Sequence, residues 1–235
     1  MSGTDKGGSG LLDRRGFGVA AAGLMVSTLV RPALAHPALA DQGWHDIDVS
    51  GSSAPLRFAM TRASDGRLVT QADYRGDVVL LYFGYTFCPD VCPLAMGNVA
   101  EILRRLGRQA AHVRVLFVTV DPDRDTLPLL KQYAAAFAPQ IDALRGTPDA
   151  LAALARRYRI AYSVVPASAG RPYEVTHSSA VYAFDAGGAA RLLIPSLASQ
   201  TPDIDGASAD LRRLVADGPR RGLVSRLLEE VLGLV

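Results

Sequence analysis

Cys88 and Cys92 are the chain's only cysteines, and they stand four positions apart in Cys88-Pro-Asp-Val-Cys92. Sulfurs at i and i+4 around the first turn of a helix can bond to each other or grip one metal ion. The positive end of the helix dipole favours both thiolates. Soft thiolates select Cu(I) or Zn among the available ions. A permanent disulfide is the plainer alternative, but it would close only a short loop and contribute about 2 kcal/mol by chain entropy. A pair of inert buried thiols is the other, and it fits poorly beside two prolines and an aspartate. The third donor of a metal site must come from elsewhere. His36 and His45 lie near the N-terminus, and His112 opens an apolar segment. His177, in Val175-Thr176-His177-Ser178-Ser179, precedes another apolar segment. By spacing alone His177 stays open between a ligand and an ordinary surface or core histidine.

These residues need a scaffold. The run 78–85 (VVLLYFGY) is continuous, β-branched and aromatic, the mark of a strand buried on both faces. The cysteines follow at once. The spacing then predicts a helix over 93–106, with Val99, Ile102, Leu103 and Leu106 on one stripe, Pro93 at its first position and Gly107 at its stop. A second central strand is expected over 113–120 (VRVLFVTV), ending at Asp121-Pro122. Two strands joined by one helix should be parallel, so both carboxyl ends fall on one edge of the sheet. Cys88, Cys92 and Asp121 therefore converge there. If the strand after His177 runs antiparallel to this pair, His177 starts at the same edge, whereas His112 starts at the opposite one.

Around this centre, 58–61 and 68–70 flank an Asp65-Gly66 turn and read as a hairpin. Helices are expected over 127–137, over 147–158 with Thr147 as N-cap, and over 208–216. Strands are expected over 179–184 and 190–194, joined by Asp185-Ala186-Gly187-Gly188. The outline is α/β: a thioredoxin-like fold, with a central mixed sheet flanked by helices, an N-terminal hairpin and a C-terminal helical extension. The aromatics Tyr82, Phe83, Tyr85 and Phe87 read mostly as core, with one or two shielding the site. Asp90, Asp123 and Asp125 read as capping or solvated carboxylates.

The chain has 235 residues, is 49% hydrophobic and 20% charged, and carries a formal charge of +2. Basic and acidic residues balance from Asp41 onward, and no basic cluster appears, which argues against a nucleic-acid partner. Residues 1–40 read as an export signal. Arg14-Arg15-Gly16-Phe17 precedes an apolar run over 18–30, and two small-residue cleavage patterns follow, Ala33-Leu34-Ala35 and Ala38-Leu39-Ala40. The twin arginine resembles a Tat leader, which places the 41–217 domain in a bacterial periplasm, where thiols tend to oxidise. If the leader stays, it tethers the domain to the membrane. Residues 218–235 read as an amphipathic helix hinged at Gly218-Pro219. It is expected to pack on the body or on a partner, with peripheral membrane association as the alternative.

Three segments together carry a resemblance: FGYTFCPDVCP (83–93), VTVDPDRDT (118–126) and VTHSSAVYAFDAGG (175–188). They resemble, in order, the signature segments of the SCO (SenC) family. These are thioredoxin-fold copper-binding proteins that assist assembly of the dinuclear copper centre of cytochrome c oxidase. The resemblance implies copper, as Cu(I) or Cu(II), held by Cys88, Cys92 and His177, and a role near the copper for Asp121. It also implies as partners the copper-receiving subunit of the oxidase and other copper carriers. The function expected is thus a metallochaperone. The alternative is a periplasmic thiol–disulfide oxidoreductase cycling Cys88 and Cys92, with the thiols of the copper-receiving partner as a candidate substrate. A peroxidase is a weaker third reading that the motifs do not support.

Overall fold

A computed structural model describes residues 43–218. The strands are β1 (Ile47–Asp48), β2 (Ala59–Arg62), β3 (Leu68–Thr70), β4 (Val78–Gly84), β5 (Val113–Thr119), β6 (Ile141–Arg145), β7 (Tyr162–Val165), β8 (Glu174–His177), β9 (Val181–Phe184) and β10 (Ala190–Ile194). The helices are α1 (Val91–Leu106), α2 (Leu127–Ala135), α3 (Pro148–Arg157) and α4 (Ile204–Asp217). Eight strands form one mixed sheet in the order β1-β10-β9-β4-β5-β6-β2-β3, and β7 pairs with β8 in a separate two-stranded ribbon.

All seven residues of β4 are buried, as its unbroken apolar run requires of a strand with neighbours on both sides and helices over the sheet. Each such Val, Leu or Phe contributes roughly 1.5–3 kcal/mol by burial. β4 pairs parallel with β5 and antiparallel with β9, and β5 pairs parallel with β6. The carboxyl ends of β4, β5 and β6 therefore share one edge, and β9 begins there.

The helix after β4 starts at Val91, two residues before the expected Pro93, so Cys92 lies inside its first turn. Asp90 is its N-cap residue but makes no side-chain cap, so the first-turn N–H groups stay turned toward the cysteine loop. Gly107 ends the helix at φ 57°, as expected. Thr126 and Thr147 cap α2 and α3 through their hydroxyls. Helix α4 begins at Ile204, four residues earlier than its apolar stripe indicates, because Asp203 caps it by accepting from the Gly206 N–H. Sequence periodicity missed β6, the β7–β8 ribbon and the two-residue β1. The hairpin β2–β3 and the hairpin β9–β10 form as expected, with Gly66 and Gly188 at positive φ in their turns. The expected export signal over 1–40 lies outside the described residues, as does all but the first residue of the expected 218–235 helix. Among the described residues, no helix is long and apolar enough to cross a membrane.

Candidate metal centre

Cys88 sits in the loop between β4 and α1, half-buried, with its N–H donating to the Tyr85 carbonyl at 3.3 Å. The Cys92 N–H donates to the Cys88 sulfur at 3.5 Å, so a free amide of the helix start faces that thiol. Cys92 is fully buried against the apolar core, and both thiols are free. Room for its sulfur depends on Gly84. A Cβ there would lie 3.0 Å from Cys92 Sγ and 2.8 Å from the Phe117 ring. Only a residue without a side chain allows this approach.

His177 arrives on β8 rather than directly on the strand that follows it. Its Nε2 lies 3.2 Å from Cys92 Sγ. Its Nδ1 lies 3.0 Å from the Ser178 carbonyl, which can only accept, so Nδ1 carries the proton and Nε2 presents its lone pair to the sulfurs. The Nε2 of His177 and the two Sγ atoms all lie within 4.8 Å of one another. Among the described residues this is the one cluster of three or more His, Cys, Asp or Glu side chains able to close on an ion. His112, by contrast, stands before β5, at the other end of the strands.

Burial pushes the Cys92 thiol up to about 12, and Cys88 nearby adds to it against a lowering by the Tyr85 backbone. A metal must displace that proton, so binding there releases it and strengthens as pH rises. Burial also lowers the His177 pKa, opposed by the Ser178 carbonyl. The imidazole consequently stays neutral and ligating into mildly acidic solution. Two aromatic edges wall the ring: Tyr82 and Tyr85 lie T-shaped to it at 6.0 and 5.8 Å. Phe87 is not part of this wall. It is 53% exposed, beneath the Arg124 guanidinium at 4.8 Å.

Asp121 comes to the same edge but outside the ligand cluster. Its carboxylate, 1% exposed, accepts from Arg124 Nε at 2.5 Å and from the Tyr173 hydroxyl at 2.8 Å. Arg124 in turn stacks over the Tyr173 ring at 3.7 Å. Tyr173 immediately precedes β8, so this triad ties the His177 ribbon to the end of β5. The bonds between Ser178 and Ala161 close the end of the ribbon on itself, and its other polar contact with the body near the site is His177 Nε2 at Cys92 Sγ. Tyr173→Phe should free one such tie, worth about 1 kcal/mol. Amide exchange along β7 and β8 should rise about fivefold, while β4 and β5 stay protected. Unchanged exchange in the ribbon would show that Asp121 does not hold it.

Asp125 was expected in solvent or at a cap. It is instead fully buried, accepting from the Thr86 N–H at 3.1 Å, the Thr86 hydroxyl at 2.5 Å and the Thr119 hydroxyl at 2.6 Å. It thereby fastens the cysteine loop to the end of β5. Its sequence signal was weak: one charge among three aspartates beside an arginine looks like a solvated turn.

The SCO1/SenC family model matches residues 53–215. The mitochondrial SCO2 homologue of Bos taurus is 40% identical over 119 residues, which cover 50% of this chain and 45% of that protein. The SCO2-like protein of Rickettsia felis is 32% identical over 125 residues, covering 53% and 61%. The chain thus spans about half the length of the curated relatives it matches. Among solved structures, Bradyrhizobium japonicum ScoI with copper bound has a TM-score of 0.60 at 33% identity, covering 69% of this chain and 99% of that one. Yeast Sco1 with copper bound has a TM-score of 0.62 at 27% identity, covering 74% and 94%. The mixed sheet with its flanking helices is the thioredoxin-like fold of those proteins. By its matching family model, its three ordered segments and its architecture, the chain belongs to the SCO1/SenC family.

Proposed function

We propose that the chain is a copper metallochaperone for the dinuclear copper centre of cytochrome c oxidase, carrying its cargo on Cys88, Cys92 and His177. The observation that carries this reading is the closure of two sulfurs and one lone-pair-bearing imidazole nitrogen within 4.8 Å. Two thiolates and an imidazole suit trigonal Cu(I), and a further ligand extends the set to Cu(II). The half-exposed Cys88 gives a partner's thiol a point of attack for exchanging the metal, while buried Cys92 retains it. Family membership and the copper-bound Sco structures support the identity of the cargo. The partners that follow are the copper-receiving oxidase subunit and the carriers that load this protein. The leader-like residues 1–40 support export to a bacterial periplasm, with 41–217 as the working domain and 218–235 as an appended helix.

The same pair supports a second reading, a thiol–disulfide oxidoreductase acting on the partner's thiols. What favours it is the asymmetry of an accessible Cys88 beside a buried Cys92. The two are separated by His177→Ala. Copper should bind the wild type one ion per chain. The variant should lose Cu(II), hold Cu(I) at least about tenfold more weakly, and keep its Cys88–Cys92 redox cycle. Metal analysis after loading with each oxidation state, alongside thiol titration, reads all three. Unaltered copper binding with a lost redox cycle would reverse the ranking.

A further inference from the structure

Beneath the metal centre lies a polar atom with nothing to do. Tyr82 is fully buried on β4, and its hydroxyl has no hydrogen-bond partner. An orphaned buried hydroxyl costs about 1–3 kcal/mol, so a persisting one asks for a role. Its position supplies one. Tyr82 and Gly84 are two residues apart on β4 and therefore rise on the same face of the sheet. The Cys92 sulfur and the Phe117 ring occupy the space above Gly84. The Tyr82 ring packs at 6.1 Å from Phe117 and edge-on to the His177 ring at 6.0 Å. The phenol thus stands among the groups that surround the Cys92 sulfur. The phenol O–H is a hydrogen-bond donor, and a charged sulfur beside it can only accept.

We propose that the Tyr82 hydroxyl is the outer hydrogen-bond donor to the Cys92 sulfur, engaged once that sulfur is a metal-bound thiolate. It makes Tyr82 a positioning residue, acting on the cargo through its ligand and resting on the copper-carrier reading. In the thiol state the sulfur carries little charge, and the hydroxyl is left idle. On metal binding the thiolate becomes a strong acceptor, and a hydrogen bond to it is about twice as strong as a neutral one. A donor at the sulfur draws charge from it, which favours Cu(I) over Cu(II) and raises the energy of sulfur-to-copper charge transfer.

The test is Tyr82→Phe, which keeps the ring contacts and removes only the oxygen. The metal-free variant should unfold at the wild-type temperature or above, since an unsatisfied group has gone. Loaded with Cu(II), its thiolate charge-transfer band should move to longer wavelength, and the copper potential should fall. Its Cu(I) affinity should drop about tenfold, as for loss of other outer partners of metal ligands. The variant Tyr133→Phe removes another orphaned hydroxyl nearby and should leave the band in place. A band and potential unmoved in Tyr82→Phe overturn the proposal, as does a shift seen only in Tyr133→Phe. Loading with Co(II) in parallel separates this reading from the cargo. If the wild type refuses both Cu(I) and Cu(II) but takes Co(II), copper carriage fails and the Co(II) charge-transfer band decides Tyr82. If it takes none of the three, Cys92 presents no thiolate to a metal and both readings fall.

Discussion

Replacing Cys88 or Cys92 with serine should abolish tight Cu(I) binding. Each change exchanges a soft, anionic sulfur for a hard, neutral hydroxyl, and the remaining thiolate and imidazole cannot complete a three-coordinate site. A loss of three tenfold steps or more is expected, about 4 kcal/mol. The two variants should differ in the fold. Cys88 is half-buried in a loop, so its replacement should leave the unfolding temperature unchanged. Cys92 differs, because it is fully buried in the core cluster. Cys92→Ser places a hydroxyl there, at a cost of about 1–3 kcal/mol. His177 Nε2, 3.2 Å from the sulfur, offers that hydroxyl an acceptor and holds the cost to the lower end. Competition with a Cu(I) chelator measures the affinity, and thermal unfolding measures the fold. Either variant holding Cu(I) as tightly as wild type would remove its sulfur from the site.

What was legible in the sequence follows from how local each signal is. The run over 78–84 announces a doubly covered strand because every residue must be apolar when both faces are buried. Thr147 before Pro148 announces a helix start because the hydroxyl caps an amide three residues on. The convergence of Cys88, Cys92 and Asp121 needed only the parallel crossover. His177 was different. Strand polarity brings it to the right edge, yet its final approach to Cys92 depends on the β7–β8 ribbon, which pairs outside the main sheet. Residues 162–165 and 174–177 form strands of only four residues with no fully buried position, so even the alternation in the second is too short and weak to betray them. Strand β6, Ile141–Arg145, is short and holds Asp142 and Arg145, and its pairing with β5 and β2 is invisible to local pattern. The three-segment resemblance located His177 where spacing could not.

Asp125 shows the same limit at the site's foundation, and its removal should produce the largest loss of stability. Thr86 stands two residues before Cys88, and Thr119 ends β5. Asp125 Oδ1 and Oδ2 receive both threonine hydroxyls and the Thr86 N–H, with no exposure to solvent. Asp125→Ala would leave three donors without an acceptor, the fully buried Thr119 hydroxyl and the part-buried N–H and hydroxyl of Thr86. At about 1–3 kcal/mol for each group, tempered by reorientation of the hydroxyls, the net cost should be about 3–5 kcal/mol. For a domain of this size that is a fall of about 10 °C in Tm. Asp125→Asn keeps one carbonyl oxygen, and its amide can donate to a threonine hydroxyl turned to accept, so it should lose less than half as much. The consequence reaches the metal. With Thr86 unfastened, the loop holding Cys88 gains freedom, and Cu(I) affinity should fall even in protein that remains folded at 25 °C. Calorimetry and chelator competition on the two variants test the linked effects. A Tm in Asp125→Ala equal to that of wild type would mean that the buried carboxylate does not fasten the cysteine loop, and that the geometry of Cys88 rests on the helix start alone.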